Sequence, residues 1–147
     1  MANHVRQQLR EAASTAVTGL PTTGANVFQS RFYPLQASEL PCLIVVTDGD
    51  SIENLTVHSP IQQQRATQVS IEAYARANSD LDDTLDTISK EVETAIANSS
   101  TAIVKGLMYA GCKIDVDVLG DKPVGKVTMI FTKDLYTVSN APDALIG

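Results

Sequence analysis

Tryptophan is absent from this 147-residue chain, and all aromatic residues together make up 5% of it. A core built without large rings has to be assembled from aliphatic side chains, and a hydrophobic fraction of 44% is enough for one domain of that kind. Cysteine is scarce as well. Cys42 and Cys112 lack Cys-x-x-Cys spacing and lie in apolar, strand-like segments, which fits two reduced, buried thiols in a cytoplasmic protein rather than a disulfide framework. Basic residues are outnumbered, 11 against 17 acidic ones, for a net charge of −6, and they form no run. That balance argues against a surface that grips nucleic acid by displacing its counterions, but it suits a protein that nucleic acid has to pass without sticking. The longest apolar run, Cys42 to Val46, is far too short to span a bilayer, so no membrane partner is expected. The N-terminus carries a charge every few residues and does not resemble a signal peptide.

What remains is a set of clear periodicities. Val5, Leu9, Ala12, Ala16 and Leu20 recur at three- and four-residue spacing and predict a helix over 4–18, with Asn3 as N-cap and Gly19 as the stop. Val27 to Tyr33 reads as a strand. The unbroken run at Cys42–Val46 reads as a strand covered on both faces. Asp48-Gly49-Asp50 is a turn signal, and residues 51–64 then form a long loop or loose hairpin that projects from the domain. Thr67, Val69, Ile71, Ala73 and Ala75 alternate with Gln68, Ser70, Glu72, Tyr74 and Arg76 as in a half-buried strand. A second helix is predicted from about residue 80 to 97, and a mixed connection over 99–111 with one short helical turn. A hairpin follows, in which Ile114, Val116 and Val118 alternate with acids and "GDKP" makes the turn. The order is helix, three strands, helix, two strands. It predicts an α+β fold: one domain over 1–147 with a mainly antiparallel sheet of about five strands and both amphipathic helices on one face. Projecting from it would be the loop at about 49–64, and the tail at 139–147 would be loosely held.

The acid-rich segments are the places to look for chemistry. In "SDLDDTLD", Leu81, Leu85, Ile88, Val92 and Ile96 form one narrow stripe at about 100° per residue, with Asp82, Asp83 and Asp86 outside it. Ser79 stands where an N-cap belongs and Asp82 where its capping-box acid belongs, while Asp86 is spaced to pair with Lys90. Two carboxylates with no nearby His or Cys are too few for a tight metal site. Asp48-Gly49-Asp50 has Asp-x-Asp spacing, but no glutamate closes a calcium-binding loop. Gly19 and Gly24 have P-loop spacing, but Ala25-Asn26 replace the required Lys and Ser/Thr. His4 and His58 are the only histidines, and no Gly-x-Ser-x-Gly is present. No catalytic residue, cofactor site or metal ligand set is expected, and a binding or assembly role becomes the default reading.

Four blocks carry a resemblance: "HVRQQLREAASTAVTGLPTTGANVF", "SRFYPLQASELPCLIVVTDGDS", "ATQVSIEAYARANSDLDDTLDTISKEVETAI" and "KPVGKVTMIFTKDLYTV". In order and spacing they resemble the tail terminator proteins of long-tailed bacteriophages. That resemblance implies a structural α+β subunit of the virion tail or neck, assembled in the host cytoplasm into a homo-hexameric ring. The ring would cap the tail tube protein, end tail polymerisation and offer a surface to a head-completion or neck protein. DNA would pass through it without specific binding, and there would be no enzyme activity and no cofactor. Asp48, Asp50 and Glu53 are candidates for an acidic lumen lining that repels phosphate, though the sequence fits the outside of the ring equally. Ile52, Leu55, Val57 and Ile61 are candidates for subunit or tube contacts, or else for a loop folded back on its own domain. Another phage connector, such as a head-completion or tail-tube subunit, is the alternative, and a metal-dependent enzyme using the Asp-rich segments is a further one.

Overall fold

The computed structural model describes residues 2–29, 37–119 and 122–146. The elements are α1 (Val5–Ala16), β1 (Val27–Phe28), β2 (Cys42–Asn54), β3 (Gln62–Arg76), α2 (Leu81–Ala97), β4 (Met108–Leu119) and β5 (Lys122–Val138), with a short 3-10 turn at Ala37–Glu39. The five strands form one sheet in the order β1-β2-β3-β5-β4. Every pairing is antiparallel except β1 with β2, which is parallel, so the α+β sheet is mixed. The strand expected over Val27–Tyr33 is strand at Val27–Phe28 and not at Gln29; the rest of that expectation, and Gly120 and Asp121 of the expected turn, lie outside the described residues.

Strand alternation sorts the core. Leu43 and Val45 of β2, Val69, Ile71 and Ala73 of β3, and Val127, Met129 and Phe131 of β5 share one face of the sheet and are buried there. Val5, Leu9 and Ala13 of α1 and Leu85, Ile88, Val92 and Ile96 of α2 pack against that face, so both helices lie on one side. On the opposite face Cys42, Ile44 and Val46 are also buried, as their continuous apolar run implies. Gly125 has a packing role. Leu81 Cγ lies 2.8 Å from where a Cβ would stand, so the first residue of α2 rests directly on β5.

Width decides which strands are covered. A helix is about 10 Å across and strands are about 4.8 Å apart, so two helices cover about four strands. Here α1 lies over β2 and α2 over β3 and β5. β4, at the far edge, comes beside the end of α2 at Tyr109, but further along it is largely open among the described residues. Its Ile114 and Val116 pair with Val127 and Gly125 and therefore stand on the helix side, yet they are 49% and 67% exposed. The same position leaves Cys112 exposed, which corrects the expectation of two buried thiols; only Cys42 is buried, and burial, with a smaller push from Glu39, raises its thiol to about 12.

Both helix starts differ from expectation. α1 is capped by His4, not Asn3, and His4 Nδ1 accepts from the Arg6 N–H at 3.1 Å. The buried stripe of α1 runs Val5, Leu9, Ala13, Val17 rather than through Ala12 and Ala16. The Ser79–Asp82 capping box does not form. The Leu81 N–H donates to the Asn78 carbonyl and Asn78 Oδ1 accepts from the Asp80 N–H at 2.9 Å, so Ser79 sits inside a turn and Asp80 takes the N-cap position without a side-chain cap. The aspartates of this segment are exposed, as the wheel predicts.

The segment expected to be a projecting loop over 49–64 is strand on both sides. β2 continues to Asn54 and β3 begins at Gln62, leaving residues 55–61 as the connection. Residues 139–146, expected to be loosely held, are tied at several points. The Val5 N–H donates to Pro142 O, Gln8 Nε2 to Asp143 O and the Ile146 N–H to Tyr136 O, at 2.8–2.9 Å.

Candidate assembly surface

Asp48-Gly49-Asp50 is not a turn between strands but a β-bulge within β2. Thr47 pairs with Val69 and Gly49 with Gln68, so Asp48 is an extra residue. Gly49 has φ +141°, a conformation that L side chains rarely adopt, which is why glycine stands there. The extra residue reverses the alternation. Before the bulge, odd-numbered residues such as Leu43 and Val45 face the helices; beyond it, Asp50 and Ile52 do, opposite Thr67 and Arg65 of β3.

The bulge separates the acids. Asp48 is exposed and bonds to Gln68 and Ser70, whose side chains lie on the face away from the helices. Asp50 points the other way. Its Oδ2 accepts from Arg6 Nη1 and Arg65 Nη1, each at 3.0 Å, and Arg65 Nε donates to Thr137 Oγ1 at 2.9 Å. The side chains of Asp50 and Arg65 are 9% and 10% exposed, so this pair is desolvated, and Arg6 ties it to the start of α1. Burial pushes the Asp50 carboxyl up, but the hydrogen bonds and charges of the two arginines more than offset it and hold it below the usual carboxylate value. Desolvation together with the charges of Arg6 and Arg65 holds His4 below its usual value. Glu53 is exposed and shares the face of Asp48.

Beyond the Asp50–Arg65 pair the ribbon leaves the shelter of α1. Ile52, Leu55 and Val57 are 43%, 45% and 91% exposed. Ile61 is half-buried, and its N–H donates to Ser139 Oγ at 2.9 Å while its carbonyl accepts from the Ser139 N–H at 2.8 Å. The end of β5 thus braces the base of the connection, and three apolar side chains are held out on a fixed stem.

A second apolar surface, which the sequence reading did not single out, lies along β4. Tyr109, Ile114 and Val116, on the helix side, and Met108, on the other face, are all at least 40% exposed. Tyr109 stacks obliquely on Phe131 at 5.2 Å between centroids, beside Glu93 and Ile96 of α2. Burial, reinforced by Cys112 and Glu93, raises the Tyr109 hydroxyl. The available signal was the strand's position as the last apolar alternation after two helices had been assigned to cover the sheet.

Among the described residues no group of three or more His, Cys, Asp and Glu is placed to hold a metal ion. No helix among them is long and apolar enough to cross a membrane.

The class the fold defines is an α+β domain with a mixed five-stranded sheet backed by two helices. No protein-family model matches the chain, and no curated protein matches it. Among solved structures it is similar to a chain of the "Virion of native gene transfer agent (GTA) particle", with 16% identity and a TM-score of 0.45, over 91% of this chain and 92% of that one.

Proposed function

We propose that this chain is a structural subunit of a phage-type particle, forming a ring of six that caps a tail tube, ends its growth and provides the head-joining surface. The observation that carries this reading is the β2–β3 ribbon, bonded at its base through Ile61 and Ser139, which holds Ile52, Leu55 and Val57 out to solvent. Apolar side chains so displayed suit a contact with another subunit or with the tube. The tail-terminator resemblance of the sequence blocks supplies the kind of assembly. Asp48 and Glu53, on the face away from the helices, are placed in the lumen lining, where carboxylates repel passing phosphate. Asp50 belongs to the same acidic segment, but its charge is already met by two guanidiniums. The partners are further copies of the chain, the tube subunit and a neck protein. The chain is assigned no catalytic step.

Electron microscopy of the purified protein, alone and with tail tubes, tests the proposal. Rings of six are expected in one or both conditions, and Val57→Asp should abolish them while leaving the circular dichroism spectrum unchanged. Monomers under both conditions would overturn the ring. Long cylinders formed by the protein alone would make it a tube subunit instead.

A further inference from the structure

We infer that the β4 edge pairs antiparallel with β4 of a second copy, about a two-fold axis through Ile114. Among the described residues β4 is the last strand of the sheet, hydrogen-bonded to β5 on one side only. Edge strands commonly carry a lysine or a bulge to discourage such pairing, and β4 has both: Lys113, and a register shift between Tyr109 and Gly111. What differs here is the residue two positions on. Lys113 is exposed and Asp115 half-exposed on the same face, the one turned away from the helices, where they form a long 3.9 Å contact with each other and Asp115 stands opposite Lys126 of β5.

Centring an antiparallel pair on Ile114 places Lys113 opposite Asp115 of the second copy, twice by symmetry. It places Ile114 opposite Ile114, and Cys112 opposite Val116. Lys113 and Asp115 then each face an opposite charge, and Ile114, Cys112 and Val116 on the helix side face apolar residues. Parallel in-register pairing sets Lys113 against Lys113. Antiparallel pairing centred one residue to either side sets one of the two charges against itself. Of these pairings the charges favour the antiparallel one centred on Ile114. The product is a continuous ten-stranded sheet in which the uncovered floor of Ile114 and Val116 lies against its own copy. This contact is isologous and closes on two molecules, whereas a ring needs two different patches joined head to tail. It does not rest on the ring reading.

Sedimentation velocity of the full chain over a wide concentration range, with charge variants, tests it. With Val57→Asp present to remove any ring, the chain is expected to be a dimer in equilibrium with monomer. Lys113→Asp or Asp115→Lys alone should raise the dissociation constant about tenfold or more, since attraction becomes repulsion at two symmetric sites. The double variant should restore it, an outcome that a general loss of folding would not give. Val116→Cys sets a second thiol opposite Cys112 of the other copy, so mild oxidation should give a covalent dimer on a non-reducing gel, lost again when Cys112→Ser is added. A chain without the charge substitutions that stays monomeric throughout, or a double variant no tighter than the single ones, would overturn the inference. Val57→Asp should leave the dimer intact, which separates this contact from the ring.

Discussion

The two ends of the β2–β3 ribbon use the same strands and the same antiparallel pairing, but they differ in what lies over them. At the root, Leu43 and Val45 face Ala73 and Ile71 beneath the helices, and Cys42, Ile44 and Val46 are buried on the other side. At the far end Ile52, Leu55 and Val57 are equally apolar and stand exposed. Between them the Arg6–Asp50–Arg65 cluster marks where the cover of α1 stops. Apolar sequence alone therefore does not make a core. The root stabilises the fold, and the far end keeps its burial for a contact with another molecule.

Substitutions along the ribbon should grade this difference. Ile71→Ala at the root removes a fully buried side chain and leaves a cavity, so a loss of about 2–5 kcal/mol is expected in urea unfolding. A value below about 1 kcal/mol would mean that the root is not closely packed. At the boundary, Asp50→Asn leaves Arg65 desolvated without its counter-charge, and about 1–3 kcal/mol should be lost. This variant should also flatten the acid limb of the stability curve. The folded-state value of Asp50 lies below its ordinary one, so its stabilisation is complete above about pH 4 and is lost as pH falls through the lower folded value. Thermal unfolding of both proteins from neutral to acidic pH reads this directly. At the far end, Val57→Ser should change stability by no more than about 0.5 kcal/mol. Loss of the fold on that substitution would show that the tip packs against its own domain.

The sequence revealed the periodic parts well. Four residues of the second helix stripe and all five of the alternating set in β3 are buried as their spacing demands, because a stripe can be hidden in only one way. The distal strands were harder to read. Gln62, Gln63 and Gln64 and a proline at position 60 look like loop, and pairing with β2 on one side and β5 on the other holds them extended. Asp-Gly-Asp reads as a turn because a bulge favours the same residues. In β4, alternation showed correctly that Ile114 and Val116 share a face, but alternation carries no information about what covers that face. The Asp50 cluster joins residues 44 and 15 positions apart. It did leave one trace: Arg65 falls in phase with Thr67, Val69 and Ile71, and a charged residue within a buried set calls for a buried partner.

The bulge at Asp48 also acts as a parity bit for everything beyond it. With it, Ile52 projects to the side where the helices lie and Glu53 to the opposite side. A chain lacking that one residue would keep its strands, its length to within one position and its composition, yet it would show the inverse pattern of oil and charge to whatever it meets. A single insertion or deletion here could thus exchange the two surfaces of the ribbon in one evolutionary step, without touching the core that folds it.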